Sequence, residues 1–405
     1  MKNRNTTIIF VVCLLIVAAV SAIISIQVLN SNKEALSEKD ELSEAQTLKN
    51  EYIQKAKNYV ENMTLDEKIG QMFYLDLEGL ETGYRSGKYF PTSISDSQIE
   101  NLKKYKIGGI IYFAKNLTDK TALIKYNYNL QTASKIPLFI GTDEEGGDIS
   151  RLTEQGNLGV RRFPDMRVIG DTHNPIQAYN VGRTLAVQML MLGFNMDFAP
   201  VADIDTNDKN PVIGKRAFGT TPDAVSDMVA NEVQGFQEQN MSSVLKHFPG
   251  HGDTNTDTHT GSAATNANLK RLQNVEFKPF EAGIKAGADF VLTAHILLPN
   301  ATDDNLPATM SKEIIINQLR DKLKFSGIVI TDALDMDAIS QNYTNDQIAF
   351  NCVNAGVDIL LMPKDFYGVY NSLKKYVEDG LISEERINES VIRIITTKFE
   401  RGLLK

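Results

Sequence analysis

Ser242-Ser243-Val244-Leu245-Lys246-His247-Phe248-Pro249-Gly250-His251-Gly252-Asp253-Thr254-Asn255-Thr256-Asp257-Thr258-His259 begins as a short buried strand and breaks into a loop crowded with ionisable groups. From Lys246 onward, fourteen residues hold a lysine, two aspartates and three of the chain's five histidines, around a Pro-Gly and a second glycine. Bland surface loops are polar, but they rarely gather so many groups that titrate near neutrality. A strand opening at its carboxyl end into such a loop is where α/β folds place their chemistry.

The same pattern recurs along the chain. Apolar, β-branched runs predict strands at residues 72–75, 109–113, 137–141, 195–200, 243–246, 290–294, 327–331 and 358–362. Stretches of helical periodicity separate them, with long insertions before the fourth and fifth. Near-continuous hydrophobic strands alternating with helices imply a parallel sheet covered on both faces. Eight of them predict an α/β fold, a (β/α)8 TIM-type barrel. Asp143 and two glutamates follow the third strand, Asp203 and Asp205 the fourth. Lys246 and His247 end the fifth, His295 the sixth and Asp332 the seventh, while Met362-Pro363 closes the eighth. In a closed barrel these residues converge on one mouth. An open, doubly wound sheet is the alternative, and it would not bring the third, fifth and seventh strand ends together so naturally.

With 405 residues, 42% hydrophobic and 23% charged, the chain has ample material for a globular core. A formal net charge of −9 with no basic stripe argues against nucleic acid as a partner. Cys13 lies in the apolar N-terminal run and Cys352 in an expected barrel helix, so they are not expected to form a disulfide. Residues 1–30 read as a signal anchor: Lys2 and Arg4 precede an uncharged run from Thr7 to Leu29, long enough to span a bilayer. This predicts a single-pass membrane protein with residues 31–405 outside the cytoplasm. Secretion after cleavage near Val20-Ser21-Ala22 is the alternative. Residues 31–50 form a charged spacer and residues 51–405 the barrel domain. Apolar residues at helical spacing lead into it, and Thr64-Leu65-Asp66-Glu67 has capping-box form.

Asp332 directly follows an apolar strand, and a carboxylate there is costly to bury unless it is used or paired. It is the candidate catalytic carboxylate, with Asp335 the expected cap of the next helix. Asp257-Thr258-His259 pairs a proton-transferring imidazole with a carboxylate that orients it. His247 and His251 have the spacing of a helical zinc pair, but Pro249 and Gly250 break that helix, so no metal is assigned. Asp143 is placed to accept hydrogen bonds from ligand hydroxyls, and Arg151 and Arg216 to donate to polar oxygens. No phosphate loop of P-loop or Rossmann form is present, and no cofactor is expected.

Asp-Glu-Glu-Gly-Gly at 143–147, Pro-Val-Ile-Gly at 211–214 leading to Arg216, the stretch from Lys246 to His259, and Thr331-Asp332 with Met336 together resemble glycoside hydrolase family 3. Within it they are similar to the β-N-acetylhexosaminidase branch, which removes terminal N-acetylglucosamine. The resemblance covers about residues 60–405. It implies that Asp332 is the nucleophile, that His259 assisted by Asp257 is the general acid/base, and that Asp143, Arg151, Arg216, Lys246 and His247 bind the sugar. It also implies double displacement with retention, on a β-linked glycan of cell-wall fragments or related material. Asp148 departs from the pattern, since many relatives carry arginine there. A family-3 β-glucosidase, a glycoside phosphorylase and a non-catalytic surface sugar-binding barrel are the competing readings. The natural glycan and the oligomeric state stay open.

Overall fold

The computed structural model describes residue 44 and residues 46–154, 157–256, 261 and 263–405. The chain divides after Lys55. Before that point, the described residues are helical. Ala56–Lys405 form the second unit, which holds everything that follows. The apolar run from Thr7 to Leu29 lies outside the described residues. Among the described residues, no helix is long and apolar enough to cross a membrane.

Eight strands build the barrel: β1 (Phe73–Asp76), β2 (Gly109–Tyr112), β3 (Phe139–Thr142), β4 (Met196–Asp197), β5 (Ser242–Phe248), β6 (Phe290–Thr293), β7 (Ile328–Thr331) and β8 (Leu360–Leu361). They pair in sequence order, every neighbour parallel, and β8 pairs with β1. A parallel bridge between Ile330 and Ile359 joins the seventh strand to the eighth and closes the ring. Closure decides against the open, doubly wound sheet. All eight expected strands are present, but the fourth and the eighth are cut to two residues each. Met362 adopts a left-handed φ of 50° that ends β8.

The interior is packed, not hollow. Tyr74, Phe139 and Phe290 meet inside the barrel, with the two phenylalanine rings 5.2 Å apart and perpendicular. Gly109 makes room for them, since a Cβ there would sit 2.7 Å from the Tyr74 ring. Phe73, one residue earlier, points the other way and packs on Phe366 and Tyr370 of the helix Phe366–Glu378. That alternation is the two-residue period of a strand covered on both faces. The Thr64 capping box expected from the sequence is formed with Glu67, at the start of the helix before β1.

Candidate active site

The carboxyl end of β5 carries Lys246 and His247, and both line one cavity. Consecutive residues of a regular strand point to opposite faces. Here the ladder to β6 slips between Leu245 and Phe248, so two residues on one strand oppose a shorter step on the other. A bulge of this kind re-aims side chains, and bulges gather beside functional sites.

Lys246 is almost fully buried, and its Nζ lies 2.5 Å from Asp143 Oδ1 and 2.6 Å from Glu145 Oε1. Burial pulls the ammonium down, but the two carboxylates outweigh it and hold the pKa above its ordinary value. Asp143 follows β3 directly. Glu145 sits on a small antiparallel hairpin, Glu144–Gly146 with Ile149–Ser150, turned by Gly146 and Gly147 at φ of 95° and 59°. Only glycine adopts two successive positive φ values cheaply, which is the physical content of the Gly-Gly pair. Arg216 grips Glu145 through two bonds, Nη2 to Oε1 at 2.7 Å and Nε to Oε2 at 2.8 Å. Burial raises the Glu145 carboxyl, yet Arg216 and Lys246 together drive it well below the usual carboxylate range. It is a fixed anion that orients two cations.

Asp203, after β4, is completely buried and organises the histidines. Its Oδ2 lies 2.6 Å from His247 Nδ1 and accepts the His247 amide at 3.2 Å, and its Oδ1 accepts the His251 amide at 2.6 Å. Burial works against the carboxylate, but the His247 contact holds its pKa below the ordinary value. With the Nδ1 proton directed at Asp203, His247 Nε2 faces Arg216 Nη2 at 3.4 Å. His251 Nδ1 is 2.7 Å from Thr254 Oγ1, and burial lowers the pKa of that ring.

Asp332 leaves β7 with its amide on Thr293 O at 2.9 Å, and its Oδ1 accepts from Ala333 N at 2.8 Å. It lines the same cavity as Asp143, Glu145, Arg151, Arg216, Lys246, His247 and His251, over apolar Ile111, Phe198, Leu292 and Leu361. The volume is about 200 Å³. Pockets for drug-sized ligands run from roughly 300 to 1,000 Å³, so this one suits a smaller ligand. Three carboxylates (Asp143, Glu145, Asp332) face three cations (Arg151, Arg216, Lys246). Such a balance favours a neutral ligand rich in hydrogen-bonding groups over an ionic one.

The structure therefore gathers Asp143, Arg151, Arg216, Lys246, His247 and Asp332, six of the eight sequence candidates. Asp257 and His259 lie outside the described residues. Asp335 is not the helix cap expected of it. The helix Asp337–Ser340 starts after Met336 without a side-chain cap, while Asp335 pairs with Arg85, which also binds Asp76 at 2.9 Å. A guanidinium buried between two strand ends is a stronger attraction for a carboxylate than a free helix amide. His295 is not among the residues lining the cavity; its ring nitrogens lie 2.9 Å from Thr309 Oγ1 and 3.1 Å from the carbonyl of Ala333, which does line it. Sequence reading named Asp203 and the second glutamate only as strand-end acids. Their roles depend on partners 44 and 71 residues away, which no local pattern encodes.

Behind the cluster, on the helix Pro222–Gln237, Glu232 is buried, with neither carboxylate oxygen hydrogen-bonded. Burial and the Glu145 charge, partly offset by Lys246, push its pKa up to about 8. The unfolded chain releases this proton near 4.5, so the folded state holds an extra proton between those values and loses stability as pH rises through the window. Glu232→Gln mimics the neutral acid. Its melting temperature relative to wild type is expected to climb between about pH 5 and pH 8. A pH-independent difference in paired melts would mean that Glu232 does not titrate there.

Fold and site together define a closed (β/α)8 barrel with a charge-balanced polar pocket at its carboxyl mouth. The Glycosyl hydrolase family 3 N terminal domain matches residues 64–397, and the chain belongs to that family. It is similar to Beta-hexosaminidase A of Pseudoalteromonas piscicida, 32% identical over 83% of this chain and 61% of that protein. It is also similar to a Beta-hexosaminidase of Nitrosomonas eutropha, 31% identical over 68% of this chain and 78% of that protein. Among solved structures, a glycoside hydrolase family 3 beta-N-acetylglucosaminidase from Paenibacillus sp. superposes with a TM-score of 0.78. The two are 35% identical, over 84% of this chain and 63% of that one. The chain thus spans about three fifths of the length of the first curated relatives it matches, 61% and 58%.

Proposed function

We propose that this chain is a retaining, exo-acting β-N-acetylglucosaminidase that removes terminal N-acetyl-β-D-glucosamine from cell-wall fragments or related glycans. The observation that carries the reading is Asp332, a carboxylate opening into a pocket whose charges, its own included, cancel. The names of the relatives support the same choice of sugar. In this reading Asp143, Lys246, Arg216, His247 and Arg151 hold the ring hydroxyls and the acetamido group. Asp332 attacks the anomeric carbon as the leaving oxygen takes a proton from His259, oriented by Asp257. Water, deprotonated by the same histidine, then displaces Asp332 from the glycosyl-enzyme. No step calls for a metal or cofactor. We further propose that residues 7–29 anchor the enzyme in the cell membrane with its barrel outside the cytoplasm.

Rates on an aryl β-N-acetylglucosaminide and the matching β-glucoside, each with and without phosphate, test the substrate and acceptor. The proposal expects the acetamido sugar to be turned over far faster and phosphate to be without effect. Preference for the glucoside would assign a β-glucosidase, and a sugar phosphate product would assign a phosphorylase. Proton NMR of the first turnovers should show the β-anomer before mutarotation. An initial α-anomer would make Asp332 a base that activates water.

His259→Ala is expected to hurt a disaccharide about 10²- to 10⁴-fold more than a p-nitrophenyl glycoside when glycosylation is measured alone. The phenolate departs without a proton, whereas a sugar alkoxide does not. Azide, which needs no deprotonation, should partly restore deglycosylation. Equal losses on both substrates without azide rescue would reduce His259 to a binding role.

A further inference from the structure

At the opposite, amino-terminal end of the barrel, three arginines surround one carboxylate. Asp358, wholly buried just before β8, accepts from Val329 N at 2.9 Å, Ser390 Oγ at 2.6 Å, Arg393 Nη1 at 3.0 Å and Arg320. Four donors saturate a carboxylate's roughly four lone-pair sites. Arg386 stands 3.9 Å away and spends its other donors on Val353 O, Val357 O and Ser390 Oγ. Beyond the three guanidiniums opens a recess of about 260 Å³, with Lys312 and Glu389 at its rim.

The charges here do not cancel, in contrast to the catalytic mouth. Arg320, Arg386, Arg393 and Lys312 give four positive charges and Asp358 and Glu389 two negative, leaving an excess of two. The carbonyl end of the helix Asn345–Ala355, capped by Arg386, offsets only about half a charge. Burial, countered in part by Asp358 and reinforced by Arg393 and Arg386, pushes Arg320 down to about 10. Burial lowers Arg386 in the same way. Structural ion pairing explains Arg320 and most of Arg386. It does not explain Arg393, which is part-exposed, gives one of its five donors to Asp358 and lines the recess.

We propose that this recess binds a phosphate-class oxyanion. Guanidinium forks match the paired oxygens of such a group, and a phosphate carries about −1.5 to −2 charge at neutral pH, the size of the local excess. A carboxylate, with one charge, leaves half of that excess standing. The ligand sits across the barrel from Asp332, so it occupies the protein together with substrate.

Isothermal titration of inorganic phosphate into the full chain, against chloride at matched ionic strength, tests the site. Saturable one-to-one binding is expected, weakened about tenfold in Arg393→Gln. Lys312→Gln, an exposed position that leaves folding intact, should weaken it to a smaller extent. Arg151→Gln, at the catalytic mouth, should leave it unchanged. Glycosidase rates of Arg393→Gln and Lys312→Gln should match wild type. Absence of saturable heat in the wild type overturns the proposal, as does binding abolished by Arg151→Gln and retained in both recess variants.

Discussion

Asp332→Asn is expected to lose turnover by roughly 10⁴-fold or more while keeping the wild-type melting temperature to within a few degrees. The large kinetic effect follows from chemistry. An amide oxygen is a poor nucleophile, and its glycosyl adduct is not the ester that water later displaces, so no neighbouring group inherits the step. Asp143 is engaged by Lys246 at 2.5 Å, and Glu145 is held by both Arg216 and Lys246. Neither is free to attack without breaking an ion pair. The small structural effect follows from geometry. The contact that shapes the loop, Ala333 N to Asp332 Oδ1 at 2.8 Å, uses an oxygen that asparagine keeps. Substrate should still bind, because the groups proposed to hold the sugar are untouched, so the loss should fall on kcat rather than KM. Rates and melts of the purified variant decide it. Near-normal turnover would remove the nucleophile assignment. An unfolded variant would place Asp332 among the groups that hold the barrel mouth together.

Much of this site was legible before any coordinates, for a physical reason. A parallel barrel strand must be apolar along its length and can turn polar only where it leaves the barrel. Each abrupt change from β-branched run to ionisable residue therefore marks a strand's carboxyl end. Thr331-Asp332 and Leu245-Lys246-His247 are such changes, and the structure places Asp332, Lys246 and His247 on one cavity. What stayed hidden were the supporting contacts, because they join segments far apart in the chain. Asp203 looked like Asp205 in sequence, yet one fixes His247 and the other meets Arg167 at 2.9 Å. Asp335 looked like a helix cap until Arg85, 250 residues away, was seen beside it. The bulge that turns both Lys246 and His247 into the mouth leaves no mark in the hydrophobic pattern, since its residues are apolar or functional in either register.

Glu145 is the supporting residue whose loss should cost most. It is 2% exposed and accepts two bonds from Arg216 and an ion pair from Lys246. Glu145→Gln keeps the shape but removes the charge. Two buried cations are then left with Asp143, a less buried carboxylate in contact with Lys246, and the more distant Asp203 as counter-ions. Breaking a buried pair from one side typically costs about 3–5 kcal/mol, so a fall in melting temperature on the order of 5–10 °C is expected. Sugar binding should weaken too, since Lys246 and Arg216 lose the anchor that aims them. The pH dependence gives a separate signature. The folded-state pKa of Glu145 lies well below its ordinary 4.5, so its contribution is fully present above that value and fades only as pH falls below it. The gap between wild type and Glu145→Gln should therefore be constant from about pH 8 to pH 5 and close in stronger acid. Glu232→Gln behaves in the opposite sense, its advantage growing with pH, because that carboxyl is buried without a cation of its own. Melts of both variants across one pH series separate the two cases. A Glu145→Gln protein that melts with wild type at pH 7.5 would mean that Asp143 and Asp203 suffice to neutralise the pocket's cations, and the charge-balance argument for a neutral ligand would lose its footing.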